Sequence, residues 1–353
     1  MIDNIQALRA AAALLVVFVH LEAFARVLGL PIVGHGGVDL FFVISGFIMV
    51  HTTRARPVGP GPFMLNRLVR IAPIYWLITL AVYAVALVAP SLLQATVADG
   101  AQLAKSLAFV PFRKSNGLVQ PVLFVGWTLN YEMFFYALFA LGLLFRDRRR
   151  GALAVVVALG GLVSVGALLR PESVVAEFYT RPIILEFAAG MALAGLGGGA
   201  RCDSVLGRRA VGLACALGLG AVVLLPLAFP AAPRVLAQGV PATLVAACAI
   251  VLHHSGVRWS NRWLLGLGNA SYSLYLTHPF VTQATQKVAK SIGLSPAVAA
   301  VGALATLALV CVIGALTHQW LEKPLTHLAK QRAERLLGAW GKPRVAPGYA
   351  RVD

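Results

Sequence analysis

The stretch IQALRAAAALLVVFVHLEAF, residues 5–24, decides how this chain is read. Apart from Gln6, Arg9, His20 and Glu22 it is apolar throughout. A run of this length spans about 30 Å of hydrocarbon as a helix. Arg9 and His20 lie eleven residues apart, close to three helical turns. The spacing predicts both side chains on one face, about 16 Å apart along the axis. Charged and titratable groups inside a membrane segment are costly and, as a rule, face the protein interior and serve function. The segment therefore predicts a membrane helix that carries part of a buried polar site.

Working outward, the rest of the chain repeats the membrane signal. Of 353 residues, 59% are hydrophobic and only 12% are charged, roughly half the charged fraction of a soluble domain. Ten apolar segments are long enough to span, near 5–25, 37–53, 72–90, 122–145, 152–169, 179–197, 210–229, 236–254, 268–286 and 296–318. The expected fold is an all-α polytopic bundle of about ten transmembrane helices. The segment 101–112 is apolar but too short to span, and suits the membrane interface.

A net charge of +17 raises the question of nucleic acid. The charge distribution argues against it. With the N-terminus in the cytoplasm and ten spans threaded, most of the 30 Lys and Arg residues fall on inner loops and the tail. That is the positive-inside pattern, with both termini cytoplasmic. A basic inner face also attracts a polyanionic ligand. Cys202, Cys215, Cys248 and Cys311 are scattered without a CxxC spacing and read as packing residues. The expected organisation is one membrane domain over residues 1–325 and a basic cytoplasmic tail over 326–353, helical at first and disordered after Gly341. The first apolar segment is expected to be a retained span, because residues 1–8 hold Asp3 and no base. No appended soluble catalytic domain is expected, so the chemistry must come from helices and their loops.

The candidate groups are few. A neutral imidazole at His20 can take a proton from a hydroxyl, the general-base task in acyl transfer; it can equally bond a neighbouring helix. Arg9 needs an anion or carbonyl dipoles, or else snorkels to inner headgroups. Asp39 opens the second segment at a depth near His20. It can orient that imidazole as the third member of a triad does, and it also suits a helix cap. Ser45 beside Gly46 suits close helix packing. Arg67 and Arg70 are i, i+3 and share a face at the inner mouth of the third segment, an arrangement that fits phosphate or a positive-inside anchor. Tyr75 and Trp76 accompany them as part of that candidate donor site or as an aromatic belt. Glu132 lies mid-membrane and needs a partner, with Arg9 or His20 the obvious candidates. Trp127, Tyr131, Tyr275 and His278 are candidate acceptor-contact or supporting residues, with His278 at a proline kink before Pro279. Glu186 reads as structural, and Glu322-Lys323-Pro324 as a helix end. The remaining histidines show no metal-ligand spacing, and no metal is expected.

Taken together and in order, these segments resemble the membrane-bound acyltransferase family 3, which O-acylates bacterial polysaccharides, lipopolysaccharide and peptidoglycan. The resemblance covers residues 5 to 325. It rests on Arg9 and His20 as the family's Arg-x10-His signature, with GVDLFFVISGF (37–47), RLVRIAPIYW (67–76), WTLNYEMFFY (127–136), EFAAGM (186–191), SYSLYLTHPF (271–280) and LEKPL (321–325). The chain looks most like the compact members that modify exopolysaccharide sugars. The resemblance implies an acyl-CoA donor, usually acetyl-CoA, from the cytoplasm. It also implies Arg9 and His20 as the essential pair, arginines after the second segment holding the coenzyme, and a bacterial inner-membrane location.

The expected function is thus a membrane O-acyltransferase acting on a saccharide hydroxyl, with polysaccharide-assembly proteins as further partners. Arg67 and Arg70 would hold the donor phosphates, Arg9 would steady the donor, and His20 with Asp39 or Glu132 would activate the acceptor. Two rival classes remain at this point. A proton-coupled secondary transporter also uses buried His, Arg and Glu, although no inverted repeat is visible. The other is a non-catalytic polysaccharide-assembly subunit.

Overall fold

The computed structural model describes residues 2–93, 95–196 and 200–339. The described residues are helical, with a single isolated bridge between Arg113 and Val119. In chain order the helices are α1 (Asp3–Val19), α2 (Glu22–Val27), α3 (Gly36–Ala55), α4 (Pro60–Val88), α5 (Gly100–Leu107), α6 (Trp127–Gly142), α7 (Arg148–Leu169), α8 (Val174–Tyr179), α9 (Leu185–Leu196), α10 (Val205–Ala228), α11 (Val240–His254), α12 (Arg262–Asn269), α13 (Ser271–Ile292), α14 (Pro296–Thr317) and α15 (Lys323–Ala339). Each of the ten expected segments overlaps a helix of 12 residues or more.

Among the described residues, 6 helices are long and apolar enough to cross a membrane, the architecture of a multi-pass membrane protein. They are α3, α4, α7, α10, the helix Val235–His254 that contains α11, and the helix Pro296–Arg335 that contains α14. The other expected spans differ for physical reasons. The helices α1, α6 and α9 have 17, 16 and 12 residues, shorter than the roughly 20 that a perpendicular crossing takes. The 22-residue α13 is too polar, carrying Ser271, Ser273, Thr277, His278 and Gln286.

The first segment is not one continuous helix. α1 stops at Val19, and His20 and Leu21 leave helical geometry at φ/ψ of −100/23 and −108/29. Gln286 of α13 holds this break, donating from Nε2 to the His20 carbonyl at 2.8 Å and accepting from the Ala23 N–H at 2.8 Å. Two backbone groups that a continuous helix would have used internally are thereby satisfied from outside. His20 therefore sits just past the end of the helix that carries Arg9.

Close packing builds the centre. At the α3–α9 crossing, a Cβ added to Gly46 would fall 2.1 Å from the Phe187 carbonyl oxygen, and one added to Gly190 would fall 1.9 Å from that of Val43. Only glycine lets these backbones meet. Beside that crossing, rings tie α3, α6, α8 and α9 together. Phe187 stacks on Phe42 and on Phe135, each at 4.4 Å, and Tyr131 stacks on Phe178 at 3.9 Å. Such pairs add about 0.5–1.5 kcal/mol each beyond burial. They lock one face of α6 and leave its opposite stripe, Thr128, Glu132 and Tyr136 at i, i+4 and i+8, facing inward.

The short apolar segment near 101–112 forms α5, and Tyr75 and Trp76 dock it. The Tyr75 hydroxyl donates to the Ser106 carbonyl at 3.1 Å, and Trp76 Nε1 donates to the Leu107 carbonyl at 2.9 Å. At the other end, a π-turn over His318–Glu322 carries α14 into α15, which packs against α4. The expected boundary between residues 325 and 326 thus falls inside one helix. The expected disorder after Gly341 lies outside the described residues.

Candidate functional site

Two connected cavities occupy the side of the bundle where the chain begins. The larger, about 1170 Å³, is walled by the starts of α1 and α4, the end of α3, and α12, α14 and α15. A smaller inner chamber of about 100 Å³ continues from it between α1, α3, α4, α6 and α13. Arg9, Ile48, Arg67 and Arg70 line both. The helical spacing of Arg67 and Arg70 explains why one helix supplies two guanidiniums to the same junction.

No carboxylate lies within ion-pair distance of Arg9, Arg67 or Arg70 among the described residues. Arg9 donates only a long hydrogen bond, from Nη1 to Gln6 Oε1 at 3.4 Å. Arg67 lies over the rings of Phe63 and Tyr136, at 5.6 and 5.9 Å, and its buried Nε has no hydrogen-bond partner. Three cations held without a direct ion pair favour an external anion.

Glu132 does face the inner chamber, as Arg9 does. Its direct partners differ from those expected. It accepts a short hydrogen bond from the Tyr136 hydroxyl and a longer one, 3.4 Å, from Ser45 Oγ. Glu322, expected at a helix end, lies in the π-turn that leads into α15 and is buried. It accepts from Ser273 Oγ at 2.5 Å and pairs with His318 Nδ1 at 2.8 Å. The one carboxylate lining the larger cavity is thus already engaged.

The inner chamber ends at Tyr275. Its hydroxyl donates to the Val125 carbonyl at 2.9 Å and accepts from Thr128 Oγ1 at 2.8 Å. Behind that ring stand two imidazoles. His278 lies 5.7 Å from the Tyr275 ring centroid, and His20 lies 5.1 Å from His278. His278 is fully buried, with Nδ1 2.7 Å from the Tyr275 carbonyl. An acceptor at that distance requires the proton on Nδ1, which leaves a lone pair on Nε2. That Nε2 is buried and has no partner. His20 also meets the edge of Phe124 at 5.7 Å. Arg9 and His20 consequently do not line one open pocket. The Tyr275 ring separates the chamber of one from the imidazole pair of the other.

Asp39 does not reach His20. It is fully buried and forms a bidentate pair with Arg234, Nε at 3.0 Å and Nη2 at 2.6 Å. Arg234 arrives from the approach to the π-turn before α11, a partner 195 residues away that no local spacing announces. Trp127 and Tyr131 pack edge to face at 5.9 Å in the aromatic wall, outside both cavities. Tyr75 and Trp76 likewise lie outside them, at the α5 junction. The structure therefore brings together Arg9, Arg67, Arg70, Glu132 and Tyr275, and separately His20 with His278. Sequence reasoning missed Tyr136, Arg234, Gln286 and the basic residues of α12 and α15. The i, i+4, i+8 stripe of α6 was a usable signal for the first.

No group of three His, Cys, Asp or Glu suited to a metal occurs among the described residues. The site thus lies in a multi-pass bundle with a basic cavity running inward from one face. A sequence profile described as an acyltransferase domain matches residues 2–315, and the chain belongs to that acyltransferase family. It is also 38% identical to the exopolysaccharide production protein ExoZ of Rhizobium meliloti (strain 1021), over 310 residues that cover 86% of this chain and 92% of that one. No solved structure matches.

Proposed function

We propose that this protein is an inner-membrane O-acyltransferase that moves an acyl group, acetyl being the simplest, from cytoplasmic acyl-CoA to a hydroxyl of a cell-surface or lipid-linked saccharide. The observation that carries this reading is the junction of Arg9, Arg67 and Arg70, three guanidiniums with no ion-paired carboxylate among the described residues, between an outer cavity and a narrow inner chamber. The excess of basic residues on that side supports a cytoplasmic opening for the cavity. The similarity to an exopolysaccharide production protein supports a saccharide acceptor.

In this reading the coenzyme phosphates stay at Arg67 and Arg70, and the pantetheine arm enters the inner chamber toward Tyr275. Arg9 neutralises charge developing on the thioester carbonyl oxygen. The acceptor hydroxyl arrives from the opposite side, where His20 takes its proton. The hydroxyl oxygen forms the new bond to the acyl carbon, the carbon–sulfur bond breaks, and the thiolate leaves with a proton returned from the imidazole. His278, with its proton fixed on Nδ1, offers its Nε2 lone pair to the protonated His20 and steadies it. The Tyr275 ring must swing aside for donor and acceptor to meet.

The test is acyl transfer from acetyl-CoA to the surface saccharide in membranes carrying His20→Ala. Loss of transfer by at least about 100-fold is expected from removal of a general base, with acetyl-CoA binding retained. Undiminished transfer would remove His20 from the reaction.

A further inference from the structure

The far wall of the larger cavity carries a second set of cations that the acyl-transfer reading does not use. Arg262 and Trp263 come from α12, and Lys323 and Lys330 from α15. The residues of α15 that reach the cavity recur at 323, 326, 327 and 330. This i, i+3, i+4, i+7 stripe is one helix face. The matched acyltransferase domain ends at residue 315, so a helix beyond it helps to wall the cavity. Arg262 has no carboxylate within ion-pair distance among the described residues, and Lys330 has only a 3.9 Å contact to exposed Glu334. Trp263 lies at the lip with 71% of its surface exposed and the Arg262 guanidinium 5.1 Å from its ring.

The cavity therefore has two cationic groups, Arg67 and Arg70 at its inner end and Arg262, Lys323 and Lys330 at its rim, with the largely exposed indole of Trp263 among the latter. A ligand matching this pattern carries two separated phosphate groups and a flat base. From the chemistry on these walls, we propose that α12 and α15 form the nucleotide half of the donor site. Trp263 stacks on adenine, and Arg262 with Lys330 holds the 3′-phosphate. The pyrophosphate lies deeper, at Arg67 and Arg70. This assignment rests on the acyl-CoA reading above and adds the groups that discriminate its nucleotide end. A purine ring stacks on an indole without needing a fixed hydrogen-bond pattern, and guanidinium and ammonium groups bind phosphate as charge-assisted donors.

The experiment measures calorimetric binding of coenzyme A, 3′-dephospho-coenzyme A and pantetheine to purified full-length protein. The wild type is expected to bind them in that order of falling affinity. Arg262→Gln and Lys330→Gln should each weaken coenzyme A about tenfold or more while leaving the dephospho form nearly unchanged, so that the preference between the two collapses. Trp263→Ala should weaken both nucleotides about tenfold and pantetheine not at all, with Trp263→Phe restoring most of the loss. An unchanged preference for coenzyme A in both rim variants would overturn the assignment. So would equal weakening of all three ligands, which would mark a general collapse of the cavity. If the wild type binds none of the three, the donor reading itself fails and this assignment falls with it. If the wild type binds and the rim variants behave as wild type, only the assignment falls.

Discussion

Two regions of this molecule hold arginine at the boundary of the bundle and treat it in opposite ways. Arg234 is matched by Asp39, fully buried and bidentate. Arg9, Arg67 and Arg70 have no such partner and open onto cavities instead. The first is a closed ion pair that joins α3 to the entry of α11. The second is a set of charges with no direct ion pair among the described residues, facing open space. The difference teaches that a cation near the membrane interior is diagnosed by its counter-charge. Where the chain supplies one, the arginine is architectural; where it does not, the arginine is available to a ligand.

Breaking the closed pair should have the larger effect on the fold. Arg234→Gln leaves the Asp39 carboxylate buried beside Glu186 without a cation, and because Arg234 itself is part-exposed a loss of about 2–3 kcal/mol is expected. Thermal unfolding in detergent checks this, and an unchanged midpoint would mean that the pair contributes little. The open set should respond in the reverse sense. Arg67→Gln together with Arg70→Gln should weaken coenzyme A by about 100-fold while leaving the unfolding midpoint in place. Loss of stability with unchanged affinity would assign these arginines to architecture as well.

A third cation sharpens the contrast. Lys114, in the loop between α5 and α6, donates to Thr96 Oγ1 at 2.9 Å and has no carboxylate within ion-pair distance among the described residues. Burial holds its ammonium down to about 8, from an ordinary 10.5. The unfolded chain keeps that proton longer than the folded one, so between these two values stability rises with pH, by on the order of 3 kcal/mol in total. Unfolding measured from pH 7 to 10 should show this rise, and Lys114→Met should flatten it. An equal rise in the variant would place its origin elsewhere.

Much of this arrangement was legible in the sequence. Apolar length and basic-residue bias carried the helical membrane class, and the spacing of Arg67 and Arg70 carried the shared face at the cavity junction. The seven ordered strings carried the family. What sequence could not carry was pairing across the bundle. His20 and Arg9 looked like one face of one helix, because the break between Val19 and Glu22 is held by Gln286, 266 residues from His20. Asp39 looked like a partner for His20 because depth was all that its position conveyed, whereas Arg234 reaches it from a distant turn. Glu132 called for a counter-charge, and a hydroxyl one turn along its own helix met part of that need. The stripe of α15 was visible at 323, 327 and 330, but a basic amphipathic end reads equally as a solvated tail until another helix is shown to face it.

The most direct test of the central claim uses sealed membrane vesicles of known orientation, supplied with radiolabelled acetyl-CoA on one side and saccharide acceptor on the other. The account predicts label on the acceptor only when donor is added to the face that carries Arg67 and Arg70, and loss of that label when both are replaced by glutamine. Transfer of equal size from the opposite face, or from the same face with both arginines gone, would contradict it.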